Sequence, residues 1–192
     1  DAQGNLFFGF AVTGANPANL SSGIARVAPD GSATWIDAAA LMGTAFARPI
    51  MNSAPALSQD QGTLYVALRT AATSSGVQTG YLVALDSATL AHRSRVRLID
   101  PRTGTDATVT DNGTSSPTVG PDGDVYFGML GTAGSGHASR GWMLHYDGTL
   151  ALTKLPGAFG WDNTPSIVPA SMVPSYTGPS SYLLMTKYNS YS

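Results

Sequence analysis

The sequence predicts an all-β fold made from one antiparallel sheet repeated along the chain. Three observations predict it. Gly (22) and Pro (12) are abundant while charged residues are only 11%, a composition of many turns and short strands. A motif of Gly, polar, aliphatic, aromatic, apolar and small residues recurs at starts 4, 62, 123 and 180, steps of 58, 61 and 57 residues. A second motif, starting at residues 23, 80 and 141, keeps the same step.

Each repeat reads in order as four strands. Ser53-Ala-Pro55, Ser116-Pro117 and Thr164-Pro165 each lead a short apolar stretch, which predicts a first, short strand. Gly4-Asn-Leu-Phe-Phe-Gly9, Gly62-Thr-Leu-Tyr-Val-Ala67 and Gly123-Asp-Val-Tyr-Phe-Gly128, with the weaker Ser180-Ser-Tyr-Leu-Leu-Met185, predict a buried second strand. The third strand is Gly23-Ile-Ala-Arg-Val-Ala-Pro-Asp30, Gly80-Tyr-Leu-Val-Ala-Leu-Asp86 and Gly141-Trp-Met-Leu-His-Tyr-Asp147, closed each time by Asp. Ser94-Arg-Val-Arg-Leu-Ile99 alternates polar and apolar and predicts a half-exposed fourth. Helix is confined to Asp37-Ala-Ala-Ala-Leu-Met42, a turn or two stopped by Gly43.

A repeated four-stranded sheet without helical crossovers predicts a β-propeller. The run Ser-x-Pro-x-Val, Asp-Gly-x-Val-Tyr-Phe-Gly and Gly-x-Leu-x-Ala-Leu-Asp resembles the repeat of the PQQ-like (quinoprotein-type) propellers. The resemblance implies a single propeller region over 1–192, with repeats at 1–52, 53–115 and 116–163 and a further blade starting at 164–192. It departs after the third strand. Asp86-Ser-Ala-Thr-Leu-Ala lacks the expected Thr-Gly and docking Trp, and only Trp35 sits near that place. The repeat is therefore diverged, and the family's quinone cofactor is not carried over. About three blades are expected against the four to eight that close a propeller, so the chain reads as part of a larger one. The open arc calls for remaining blades or another chain.

Composition narrows the function. A net charge of −2 without basic runs gives no field for nucleic acid, and no apolar stretch reaches membrane-spanning length. No cysteine is present, so disulfides and thiolate chemistry are excluded. Pro165 to Tyr188 is similar to a segment of large exported bacterial propellers, which implies an extracellular or periplasmic location.

Candidate sites divide into loops and turns. Loops leading into the innermost strand of a propeller gather near its axis. Here they are Arg48–Asn52, Thr110–Ser115 and Gly160–Thr164. They bring Asn52, Asp111, Asn112, Trp161, Asp162 and Asn163 forward as candidate ligand-binding residues, against the simpler reading that Asn and Asp there make Asx-turns. Asp30, Asp86 and Asp147 read as turn caps. In Gly120-Pro-Asp-Gly-Asp-Val-Tyr-Phe-Gly128, Asp122 reads as a turn residue and Asp124 as a solvent-facing strand residue rather than as two metal ligands. His92, His137 and His145 have no zinc spacing, and Gly131–Gly136 lacks the lysine of a phosphate loop. No catalytic residue, metal or cofactor is expected. The sequence favours a non-catalytic exported module that scaffolds or binds a protein or glycan; the alternative is part of a quinoprotein dehydrogenase or a glycan-cleaving propeller enzyme with its catalytic residues elsewhere.

Overall fold

The computed structural model describes residues 1–72, 78–107, 109, 115–130, 141–157 and 163–186. It is all-β, with several antiparallel sheets. The first holds β1 (Leu6–Phe10), β2 (Gly23–Val27) and β3 (Ala33–Asp37), in that order. A short helix α1 (Ala38–Met42) follows, its N-terminus capped by Asp37 accepting from the Ala40 amide at 2.7 Å and its C-terminus by Gly43 at φ 65°. The expected helical turns lie there. Among the described residues no helix is long and apolar enough to cross a membrane.

The second sheet contains β4 (Ala47–Pro49), β5 (Ala56–Leu57), β6 (Thr63–Ala72), β7 (Gln78–Asp86) and β8 (His92–Arg97). Here β4 and β5 lie along the same edge of β6, Arg48 opposite Arg69 and Leu57 opposite Leu64. The segment Arg48–Asn52, expected as a loop, is therefore partly strand, because the Ile50 amide bonding Ala67 O at 3.1 Å continues the ladder beyond β4. The third sheet contains β9 (Thr118–Val119), β10 (Val125–Leu130) and β11 (Gly141–Tyr146). Residues 152–157 run antiparallel beside β11, through Lys154 N to His145 O at 2.8 Å and paired Met143 and Gly157 bonds. The last sheet pairs β12 (Ser166–Pro169) with β13 (Tyr182–Met185), joined through a 3-10 turn at Ala170–Met172.

Strand periodicity decides how the sheets stack. Side chains alternate between faces, and both faces of the second sheet are buried. On one, Leu64, Val66, Leu68, Val83 and Leu85 pack with Ile24, Phe7 and Met42 of the first sheet and α1. On the other, Tyr65, Ala67, Leu82 and Ala84 pack with Val125, Phe127, Leu144 and Tyr146 of the third. This explains why β6 and β7 are almost continuously apolar. Close approach also needs Gly80: a Cβ there would lie 2.6 Å from Val109 Cγ2 and 2.9 Å from Leu68 O.

The Ser/Thr-Pro markers tie successive sheets together. Ser116 Oγ accepts from Ala54 N, and Thr164 Oγ1 accepts from Ser116 N, both at 2.8 Å. Ser115 Oγ accepts from Gly128 N at 2.9 Å and donates to Asn163 O at 3.1 Å. Hydroxyls at this position therefore link the segments that lead into successive sheets.

Candidate functional site

The turn aspartates behave as the sequence predicts. Asp86 Oδ1 accepts from the amides of Ala88 and Thr89, and with the Arg93 guanidinium beside it the carboxyl is drawn down to about 2. Asp147 accepts from Leu152 N at 2.9 Å and Asp30 from Ser32 N at 2.9 Å. Asp122 accepts from Asp124 N at 3.1 Å across a turn in which Gly123 has φ 86°. Asp60 accepts from Gly62 N and Asp1 from Asn5 N, so an aspartate caps the turn before each of these strands, although at a different position in each copy.

Asp124 departs from its expected solvent-facing place. It is only 6% exposed. It precedes β10 on the face shared by Tyr126, and His145 is Tyr126's direct partner across the ladder. Lys154, bonded beside His145, joins the same face. Asp124 receives Lys154 Nζ on both oxygens at 2.5 Å and lies 2.6 Å from His145 Nε2. Burial would push its carboxyl up, but the bonds and charges of Lys154 and His145 outweigh burial and hold it below the usual carboxylate range. Asp124 in turn raises Lys154.

The cluster continues through aromatic rings. Tyr126 stacks on His145 with centroids 4.4 Å apart and planes 24° from parallel. Its hydroxyl meets that of Tyr182 on β13 at 2.6 Å, and Tyr182 donates to both Asp122 oxygens at 2.9 Å. Burial, then the bonds to Tyr126 and Asp122, raise Tyr182; burial chiefly raises Tyr126. One polar chain thus runs from Lys154 through Asp124 and His145 across the ring stack to Tyr126, Tyr182 and Asp122, and it joins the third sheet to the last.

Beside this chain lies a cleft of about 370 Å³ between those two sheets. Tyr126, Met143, His145, Pro156 and Leu184 line it. Leu155, 88% exposed, stands at its margin. The hydroxyl of Thr186, also in the lining, is buried with no hydrogen-bond partner among the described residues.

The residues expected at the marker end fare differently. Asn52 is exposed, and the Asn163 carbonyl receives Ser115 Oγ. Asp111, Asn112, Trp161 and Asp162 lie outside the described residues, as do His137 and Gly131–Gly136. The Asp124 cluster occupies the opposite end of the third sheet, since Ser115 sits by Gly128 whereas Asp124 precedes Val125. Its signal in the sequence was departure from the repeat: Asp124 stands where other copies have Asn5 and Thr63, and His145 where Arg26 and Ala84 oppose Phe7 and Tyr65. Among the described residues no three His, Asp or Glu side chains are arranged to hold a metal.

No known family model matches the chain, and no curated protein matches it.

Proposed function

We propose that the chain is part of a β-propeller of the PQQ-like repeat type and acts as a non-catalytic binding module, with a protein segment seated in the cleft between the third and last sheets. The single observation that carries the reading is the cleft wall itself: the Tyr126–His145 stack, held in place by Asp124 and Lys154. The face-to-face packing and the hydroxyl links between the segments leading into successive sheets support the propeller assignment.

The shifted groups support binding over proton transfer. Asp124 is lowered and stays charged, Lys154 is raised and stays charged, and Tyr126 and Tyr182 are raised and stay neutral, so each is held in one charge state near pH 7. A general acid or base works best with a pKa near the working pH. The lining favours an apolar peptide side chain over a glycan. Met143, Leu155, Pro156 and Leu184 offer hydrocarbon, and a sugar needs more polar partners than the Thr186 hydroxyl and the His145 ring supply.

A displayed peptide library and an oligosaccharide panel, probed with the wild-type chain and with Leu184→Arg, test the reading. Peptide binding that disappears in Leu184→Arg is expected. Binding confined to oligosaccharides overturns the partner class. Binding that survives Leu184→Arg but is lost in Trp161→Ala moves the seat to the marker loops.

A further inference from the structure

The second and third sheets are pinned together where Tyr65 Oη donates to Gly148 O at 2.6 Å and Ser94 Oγ donates to Thr149 O at 2.5 Å. From Val96 onward they part. The gap is a groove of about 340 Å³, a volume that suits a small ligand. Val96, Ile99 and Pro101, from β8 and the residues after it, form one wall, and Leu144, Tyr146 and Pro156 of the third sheet form the other. Leu144 and Tyr146 alternate along β11 with Met143 and His145, so this groove and the peptide cleft lie on opposite faces of the third sheet.

Two polar groups meet this hydrocarbon. Tyr146 is 2% exposed, and its hydroxyl takes no hydrogen bond among the described residues; burial alone pushes it up. A buried phenol ordinarily finds a partner. Packing does not demand the hydroxyl, since the matching residue of the second sheet is Leu85, which pairs with Leu64 as Tyr146 pairs with Val125 and is 0% exposed. Arg97 stands at the rim with its side chain 51% exposed. Its Nε and Nη2 donate to Asp106, which leaves the Nη1 hydrogens for another acceptor. The charges of Arg97 and Asp106 cancel, so the rim favours neither an anion nor a cation.

We propose that this groove is a second binding site, for an uncharged small molecule with an aromatic or aliphatic body and a carbonyl oxygen, the oxygen accepting from the Tyr146 hydroxyl. The body packs against Val96, Ile99, Leu144 and Pro156. Nothing in the site depends on the peptide cleft, whose wall carries the opposite alternation.

Methyl-resolved two-dimensional NMR of the chain, titrated with acetophenone and separately with ethylbenzene, which lacks the carbonyl, tests the site. Saturable shifts at Val96, Ile99 and Leu144 are expected, with Leu184 unmoved and acetophenone the tighter of the two. Tyr146→Phe keeps the ring and removes the hydroxyl, and is expected to weaken acetophenone about 3–10-fold while leaving ethylbenzene unchanged. Thr153→Trp fills the groove from an exposed residue of its lining, and is expected to abolish both with an unchanged circular dichroism spectrum. A wild-type chain without saturable shifts overturns the proposal. So does binding that survives Thr153→Trp, or binding centred on Leu184 and lost in Leu184→Arg, which would place the probes in the peptide cleft. If Tyr146→Phe affects both probes equally, or neither, the carbonyl is not what the site reads and the ligand class is overturned.

Discussion

Leu6 and Leu64 hold the same place in the same motif, yet one is 66% exposed and the other 1%. Phe8 and Val66 repeat the contrast at 44% and 1%. Both strands pair with a following strand in the same antiparallel manner, so strand formation is not what separates them. The difference lies in the neighbour: the second sheet has another on each face, and the outer face of the first has none among the described residues. Burial, and with it most of the stability a side chain contributes, belongs to the stack rather than to the strand.

The comparison can be broken by truncation. Leu64→Ala leaves a hole between two packed sheets and is expected to cost about 2–5 kcal/mol, whereas Leu6→Ala is expected within about 0.5 kcal/mol. Chemical denaturation in dilute solution measures both, and equal losses would refute the account of the stack. Next in size comes Gly80→Ala, expected to cost about 1–3 kcal/mol because the new methyl meets Val109 and the Leu68 carbonyl. Gly31→Ala is the control for empty space, since nothing lies near its Cβ, although its φ of 83° still carries backbone strain.

An effect smaller than those at Leu64 and Gly80 is read as a pH dependence at Asp124. Its carboxyl is held below its unfolded value, about 3.9. Its contribution is therefore present in full above that value and is lost as pH falls through the folded value. Asp124→Asn is expected to lower stability at pH 7 by about 1–2 kcal/mol, discounted because Lys154 is 35% exposed. The gap from wild type should narrow below about pH 4. Denaturant midpoints at pH 7 and 3 check it, and a gap constant with pH would show that the charge of Asp124 contributes nothing.

Much of the local structure was legible because it depends on neighbours in the chain. The helical turn ending at Gly43, the Asp caps and the recurring strands follow from backbone rules that a few residues satisfy by themselves. The candidate site was not. Asp124 alternates with Val125 and so looked solvent-facing, but the outer side of that strand is covered by Lys154, four residues past the Asp147–Leu150 turn that closes β11, and by Tyr182 from another sheet. Arg48–Asn52 misled in the same direction: its pairing with Arg69 and Leu68 spans about twenty residues and leaves no trace in local pattern.

The sequence by itself determined the all-β class, the period of the repeat and which residues alternate on each strand, because propensity, turn chemistry and two-residue alternation are local. Only the tertiary structure decided which of the two faces is covered, and so why Leu64 is core, Leu6 is surface and Asp124 is the centre of an ion-paired cluster. The physical reason is that an antiparallel strand is indifferent to which of its faces meets water, and the choice is made by whichever sheet packs beside it.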